Sequence, residues 1–295
     1  MNASLRGHLA MLTFSALVAG SFSLGSIVAN DIAPAALNAV RFAMAAVVIG
    51  LSALATTGLP RSAWVAPWRY LLLGGVFATY FVLMFYGLQT APPVSMAAVF
   101  TLTPILAAGF GWLLLRQITT RRMAAALTLG GCGALWVIFR ADWQAFLAFR
   151  IGQGEIIFFF GCIAHALYTP MVRKLNRGEP PVVFTFGMLL AGCFVLVGFG
   201  WNDLRATDWA ALKPIVWITL VYLALFASAA TFVLLQFATL HLPAAKVMAY
   251  TYLTPSWVIL WEIALGNTPP PALVLVGIGM TIGALLLLLR DESAA

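Results

Sequence analysis

The chain has 295 residues, 63% of them hydrophobic and 8% charged, with a mean hydropathy of +1.00 and a formal net charge of +7. A soluble domain of this length needs far more charge to cover its surface, so lipid is the solvent that the composition suits. The positive balance then reports membrane orientation, through Lys and Arg on cytoplasmic loops, and excludes nucleic acid as the expected partner.

A hydrocarbon core of about 30 Å takes about 20 apolar residues per helix. Ten stretches of that kind are predicted, at approximately 8–28, 33–55, 67–90, 93–115, 122–139, 153–172, 181–200, 214–239, 243–265 and 271–289. Lipid leaves no partner for an open backbone, so each is expected to be a helix. The first has no Ala-x-Ala cleavage pattern and is read as retained. The second carries Pro34 and Arg41-Phe42, the third Tyr80 and Phe81-Val82-Leu83, and the fourth Ser95 and Leu102-Thr103-Pro104. Small residues mark the fifth (Ala126, Gly130, Ala134) and the tenth (Gly279, Gly283), where helices can approach closely within a monomer or, less favoured, between monomers. Glu155, His165 and Tyr168 lie in the sixth, Thr231 in the eighth, and Lys246, Tyr250, Thr254, Pro255, Trp257 and Glu262 in the ninth.

The longest connections, near Arg140 to Gly152 and Trp201 to Lys213, have no room for a catalytic or nucleotide-binding domain. With the N-terminus inside, Arg6, Arg61, Arg69, Arg116, Arg121, Arg122, Arg173, Lys174, Arg177, Lys246 and Arg290 fall on inner loops. Only Arg140, Arg150, Arg205 and Lys213 fall outside, so both termini are expected in the cytoplasm of a multi-pass plasma (bacterial inner) membrane protein. Trp64, Trp68, Tyr70, Trp112, Trp143, Trp201, Trp209 and Trp217, near helix ends, are expected to anchor at the interface. Cys132, Cys162 and Cys193 sit in separate apolar stretches and suit packing better than disulfides or metal ligation.

One segment occurs twice. Ala78 to Pro104 aligns without a gap on Ala229 to Pro255, 151 positions later, with nine of 27 pairs identical, among them Phe-Val-Leu and Leu-Thr-Pro. Weaker matches at an offset of 147 link Gly7 to Gly154, Pro34 to Pro181 and Pro67 to Pro214. The expected domains are therefore two five-helix repeats, 1–145 and 146–295. An odd helix number makes the second repeat enter the membrane from the opposite side, relating the two by a pseudo-two-fold axis in the membrane plane. The expected fold is an all-α integral membrane protein of ten transmembrane helices, arranged as two inverted repeats around a central cavity.

These residues resemble the EamA-type carriers of the drug/metabolite transporter superfamily: five plus five helices, Leu-Thr-Pro in the fourth helix of each half, and Pro34 with Arg41-Phe42 in the second. The resemblance covers the whole chain. The outer segment Leu88-Gln89-Thr90-Ala91-Pro92 and the length are similar to those of exporters of aromatic and other neutral amino acids within that family. It implies a small-molecule substrate and no cofactor. The second half departs from the pattern, since Met188 stands where Arg41 has its equivalent.

Pro104 and Pro255, about twelve residues into equivalent helices, are expected to kink them, either as gates or as static packing features. Candidate cavity residues are the deep polar and aromatic ones: Tyr80, Ser95, Thr103, His165, Tyr168, Thr231, Tyr250 and Trp257. For Tyr80, Tyr250 and Trp257 plain helix packing is an equal alternative, and a neutral His165 bonded to a backbone carbonyl is another. Arg41 is expected to pair structurally with Glu155 or Glu262. No carboxylate falls at the midplane, which favours facilitated diffusion or exchange over carboxylate-based proton coupling. A purine, a sugar derivative or a lipophilic cation is the alternative cargo, although the first helix, His8 to Val28, lacks the carboxylate that a cation carrier would want. An intramembrane enzyme is disfavoured, because there is no Gly-x-Ser-x-Gly turn and the three histidines are scattered.

Overall fold

The computed structural model describes residues 3–139, 142–144 and 151–289; Arg140, Arg150 and Arg290, used above for orientation, lie outside them. The first part of the chain forms α1 (Ala3–Val28), α2 (Pro34–Thr56), α3 (Trp68–Leu88), α4 (Pro93–Phe100), α5 (Thr103–Leu115) and α6 (Arg121–Ile138). The second forms α7 (Gln153–Leu175), α8 (Pro181–Phe199), the short α9 (Trp201–Ala206), α10 (Pro214–Ala224) and α11 (Thr231–His241). It ends in α12 (Ala244–Ala249), α13 (Thr254–Ala264) and α14 (Ala272–Leu289). No strand occurs among the described residues.

Among the described residues, eight helical segments are long and apolar enough to cross a membrane. The fifth and ninth stretches expected from the sequence fall outside that set. α6 opens on Arg121 and Arg122, which lowers its hydropathy, and the ninth stretch is split by a 3-10 turn, Tyr250–Leu253.

Proline sits in the first turn of α2, α4, α5, α8, α10 and α13, where its missing N–H has no helical partner to lose. This explains how Leu-Thr-Pro behaves. Both copies stop one helix before the proline and start another with it, α4 giving way to α5 and the 3-10 turn to α13. The irregularities expected at Pro104 and Pro255 are short tightened steps just ahead of each proline, Thr101–Leu102 in the first copy and the 3-10 turn Tyr250–Leu253 in the second. A second irregularity, the π-helical turn Leu225–Ala230 joining α10 to α11, has no counterpart in α3.

Equivalent helices of the two copies pack on each other and run antiparallel. Along α2 and α8, Ala39 receives the Cys193 thiol and a Cβ on Gly50 would meet Phe186, so the numbers climb on one helix as they fall on the other. Along α6 and α14, the Trp136 indole donates to the carbonyl of Leu273, and a Cβ on Gly133 would lie 2.6 Å from the carbonyl oxygen of Gly277. The interrupted helices also meet across the copies, α4 against α13 and α5 against α12. Between the copies, α3 lies along α7, and α11 along α1.

Two sequence expectations are corrected by packing. The close approach of α6 and α14 uses Gly133 and Gly277, whereas Gly279 meets nothing within 4 Å and faces outward; two residues turn a helix by about 200°. Tyr70 is not an interfacial anchor. It is buried between Trp64 and Phe184 and donates to the carbonyl of Ala63, while Trp68, Trp112, Trp143, Trp201 and Trp217 are exposed.

One end of the bundle is tied by a buried ion pair. Arg69, at the start of α3, donates to Glu179 Oε1 at 2.7 Å and to the carbonyl of Leu175, at the C-terminus of α7, at 2.6 Å. Burial opposes ionisation of Glu179, yet hydrogen bonds from Arg69 and from the Arg177 amide outweigh it and hold the carboxyl below its usual value. At the same end a cleft of about 350 Å³ opens between α5, α6 and the α11–α12 junction, lined by residues including Ala108, Gln117, Met123, Arg173, His241 and Ala245.

Candidate functional site

The centre of the fold is a stack of rings. Phe77 of α3 lies flat on Tyr168 of α7, with centroids 4.2 Å apart, and near-flat on His165 at 5.3 Å. Tyr80, one turn further along α3, touches His165 at 4.5 Å and Phe81 at 4.6 Å. Phe100 and Phe158 close the far side of Tyr80 and His165. The spacing of three between His165 and Tyr168, and of three and four from Phe77 to Tyr80 and Phe81, puts these rings on facing sides of two packed helices.

The duplication meets itself here. Phe81 and Phe232, first residues of the two Phe-Val-Leu copies, stack at 5.6 Å, and Phe42 packs edge-on to both. Around that pair the copies differ. At the shared offset of 151, Phe77 and Tyr80 in α3 correspond to Ser228 and Thr231. One copy therefore supplies rings and the other small hydroxyls.

Arg41 is the residue whose setting the sequence misread. It is fully buried, its guanidinium carbon 3.9 Å above the Phe81 ring, with Nε donating to Ser228 Oγ at 2.6 Å and Nη2 to the carbonyl of Ala227 at 2.7 Å. Both acceptors belong to the π-helical turn. Widening the backbone ladder there turns a carbonyl out of register, toward a donor on a neighbouring helix. The expected carboxylate partners are engaged elsewhere: Glu155 accepts from Ser95 Oγ at 2.7 Å, and Glu262 from Asn267 at 2.8 Å. Each lies at a helix end, too far along the chain to follow Arg41 into the centre.

The eight candidates thus fall into separate places. Tyr80, His165 and Tyr168 share the central stack, with Thr231 beside it as the first residue of α11, its hydroxyl donating back to the carbonyl of Ser228 in the π-turn. Thr103 Oγ1 lies 3.2 Å from Thr251 Oγ1, a hydrogen bond joining the two helix breaks. Tyr250 and Trp257 both face α1, bonding His8 Nδ1 at 3.1 Å and Ser15 Oγ at 3.2 Å. Ser95 is spent on Glu155. None of the eight lines the 350 Å³ cleft, because the central rings fill one another's space.

Among the buried polar atoms without a hydrogen-bond partner are Arg41 Nη1, the Tyr80 hydroxyl and His165 Nδ1, with Asn38 Oδ1 beside them on the residue that donates to the Phe81 carbonyl. Nearby, the Tyr168 hydroxyl is satisfied by Gln236 Nε2 at 2.7 Å. Sequence reasoning missed Gln236, Phe77, Phe81, Phe232 and Arg41 as members. The repeated Phe-Val-Leu did point to this place; what the phenylalanines meet is a tertiary fact.

The EamA-like transporter family matches the chain twice, over residues 5–139 and 152–290. The chain belongs to this family. With it comes membership of the drug/metabolite transporter superfamily and a role as a multi-pass membrane transporter. Similar proteins include the uncharacterized transporter YyaM of Bacillus subtilis (strain 168), 24% identical over 98% of this chain and 93% of that one. The uncharacterized transporter YetK of the same organism is 21% identical over 72% of this chain and 64% of that one. A solved crystal structure, 20% identical and covering 98% of both chains, superposes with a TM-score of 0.72, which shows a shared fold. Each family match contains one Leu-Thr-Pro break and one Phe-Val-Leu, so the central stack lies where the two EamA-like copies face each other.

Proposed function

We propose that the protein is an exporter of small amphipathic metabolites, foremost aromatic and other neutral amino acids, working by alternating access between inverted repeats 1–145 and 146–295. The observation that carries this reading is the ring-walled centre with its unpartnered polar atoms on Arg41, Tyr80 and His165. Rings suit an apolar side chain, and polar groups that nothing in the protein satisfies suit the amino-acid end. The chain's resemblance to the amino-acid exporter YddG points to the same cargo.

Antiparallel packing of α2 on α8, and of α6 on α14, supports the inverted ten-helix threading, since copies with opposite entry must run oppositely. Both termini then face the cytoplasm of the inner membrane, and the cleft at the Arg69 end opens inward. Pro104 and Pro255 act as gates in this scheme. Helix ends at Leu-Thr-Pro leave backbone groups free to re-pair as the half-helices tilt, and α5 runs from the Thr103 contact to the Ala108 wall of the cleft. Glu155 and Glu262 are bonded at helix ends, which supports facilitated diffusion or exchange over carboxylate-driven proton coupling. The carrier works as a monomer in this scheme.

Proteoliposomes containing only this protein test the reading. Saturable counterflow of labelled phenylalanine or tryptophan is expected, without dependence on a proton gradient. Absence of counterflow for every amino acid, with a purine or a sugar derivative moving instead, would overturn the substrate assignment.

A further inference from the structure

Arg41 carries a positive charge into the middle of an apolar stack, where a charge without a partner is costly. Among the described residues no carboxylate is paired with it; its two hydrogen bonds go to a serine hydroxyl and a peptide carbonyl. Neutral acceptors of that kind could be served equally by an uncharged side chain, so the bonds do not account for the charge. They also use only Nε and Nη2, leaving Nη1 buried and unpartnered. A guanidinium is a planar fork of five N–H donors that stays protonated and matches a carboxylate in geometry. Its Cζ lies over Phe81, whose ring touches Tyr80, and Tyr80 touches His165; the hydroxyl of the one and Nδ1 of the other are likewise buried and unsatisfied.

We infer that Arg41 is the anchor for a carboxylate, or another oxyanion, on the transported molecule, with Tyr80 and His165 as further polar contacts to the same end of it. The inference rests on the amino-acid reading above and sharpens it. The feature recognised is the anionic end in an apolar setting, and the attached side chain takes the place of ring–ring contacts made by Phe77, Phe100 and Phe158 when the repeats part. A lone anchor agrees with the sequence, because the second copy has Met188 at the corresponding place and the stack is one-sided.

The test uses the full chain in lipid nanodiscs and a matched set of probes: phenylalanine, phenylalanine amide, 3-phenylpropionate and inorganic phosphate. Binding is read by calorimetry and transport by counterflow. The acid and 3-phenylpropionate are expected to bind about 10- to 100-fold more tightly than the amide, as a charge-assisted hydrogen bond implies. Arg41→Lys, which keeps the charge and loses the fork, should weaken the two carboxylates by about 10-fold and leave the amide unchanged. The wild-type comparison needs no variant, so misfolding of Arg41→Lys cannot mask the answer. Equal binding of acid and amide overturns the anchor while amino-acid transport stands. Binding of 3-phenylpropionate without any amino-acid flux keeps the anchor and overturns the amino-acid reading. Phosphate binding that phenylalanine cannot displace assigns Arg41 to a free anion and overturns its role in cargo recognition.

Discussion

Replacing Tyr80 by Phe separates a site built for a ligand from one built for packing. Tyr80 is 1% exposed, and its ring touches Phe77, Phe81, His165, Phe100 and Phe158. All of those contacts survive in Phe. Only the hydroxyl is lost, and it has no hydrogen-bond partner. An orphaned buried hydroxyl costs about 1–3 kcal/mol, so Tyr80→Phe is expected to raise the unfolding free energy by roughly 1 kcal/mol or more. Transport should move the other way. Where the hydroxyl bonds the cargo, its loss removes about 0.5–1.5 kcal/mol, or roughly two- to tenfold in apparent affinity. Denaturant unfolding in detergent micelles gives the first number and counterflow in proteoliposomes the second. A less stable Tyr80→Phe would mean that the hydroxyl has a structural partner, and unchanged flux in a stabilised variant would mean that it has no functional one. Either result refutes the reasoning.

The remaining expectations test the frame around the site. Arg69→Met leaves Glu179 buried and unpaired and should cost about 3 kcal/mol of stability by denaturant unfolding; a loss below about 0.5 kcal/mol would show the pair to be idle. Because Glu179 is held below its ordinary value of 4.5, its stabilising contribution is full above that value and lost as pH falls through the lowered one; Glu179→Gln should flatten that acid limb. Gly133→Ala drives a methyl to 2.6 Å from the Gly277 carbonyl and should destabilise by about 1–3 kcal/mol, whereas Gly279→Ala, with nothing within 4 Å, should be neutral or slightly stabilising. Equal effects would contradict the α6–α14 packing. Pro255→Ala allows the 3-10 turn and α13 to join, so stability should hold within about 1 kcal/mol while counterflow slows several-fold. Unchanged flux would make the break a static feature.

How much could be read in advance follows from the range of each interaction. Helix starts were legible because proline acts locally: Pro34, Pro93, Pro181 and Pro214 open helices where the sequence reading placed them. Leu-Thr-Pro was legible as a special place, since proline removes a backbone donor locally; the tightened step ahead of each proline follows from the same missing N–H. Glu155 and Glu262 looked available to Arg41 because scarcity of charge suggests pairing. Their real partners, Ser95 across a helix pair and Asn267 five residues on, come from geometry that no spacing rule contains.

By itself the chain determined its solvent, its helical character and its duplication, because hydropathy and repeated motifs are properties of short stretches. Which faces meet was decided in three dimensions. Gly277 took the contact that Gly279 was expected to make, Tyr70 turned inward, and Arg41 found the π-turn of a helix 187 positions away. Such choices depend on helix rotation and on the partner's shape, and a rotation of one or two residues is invisible until the neighbour is present.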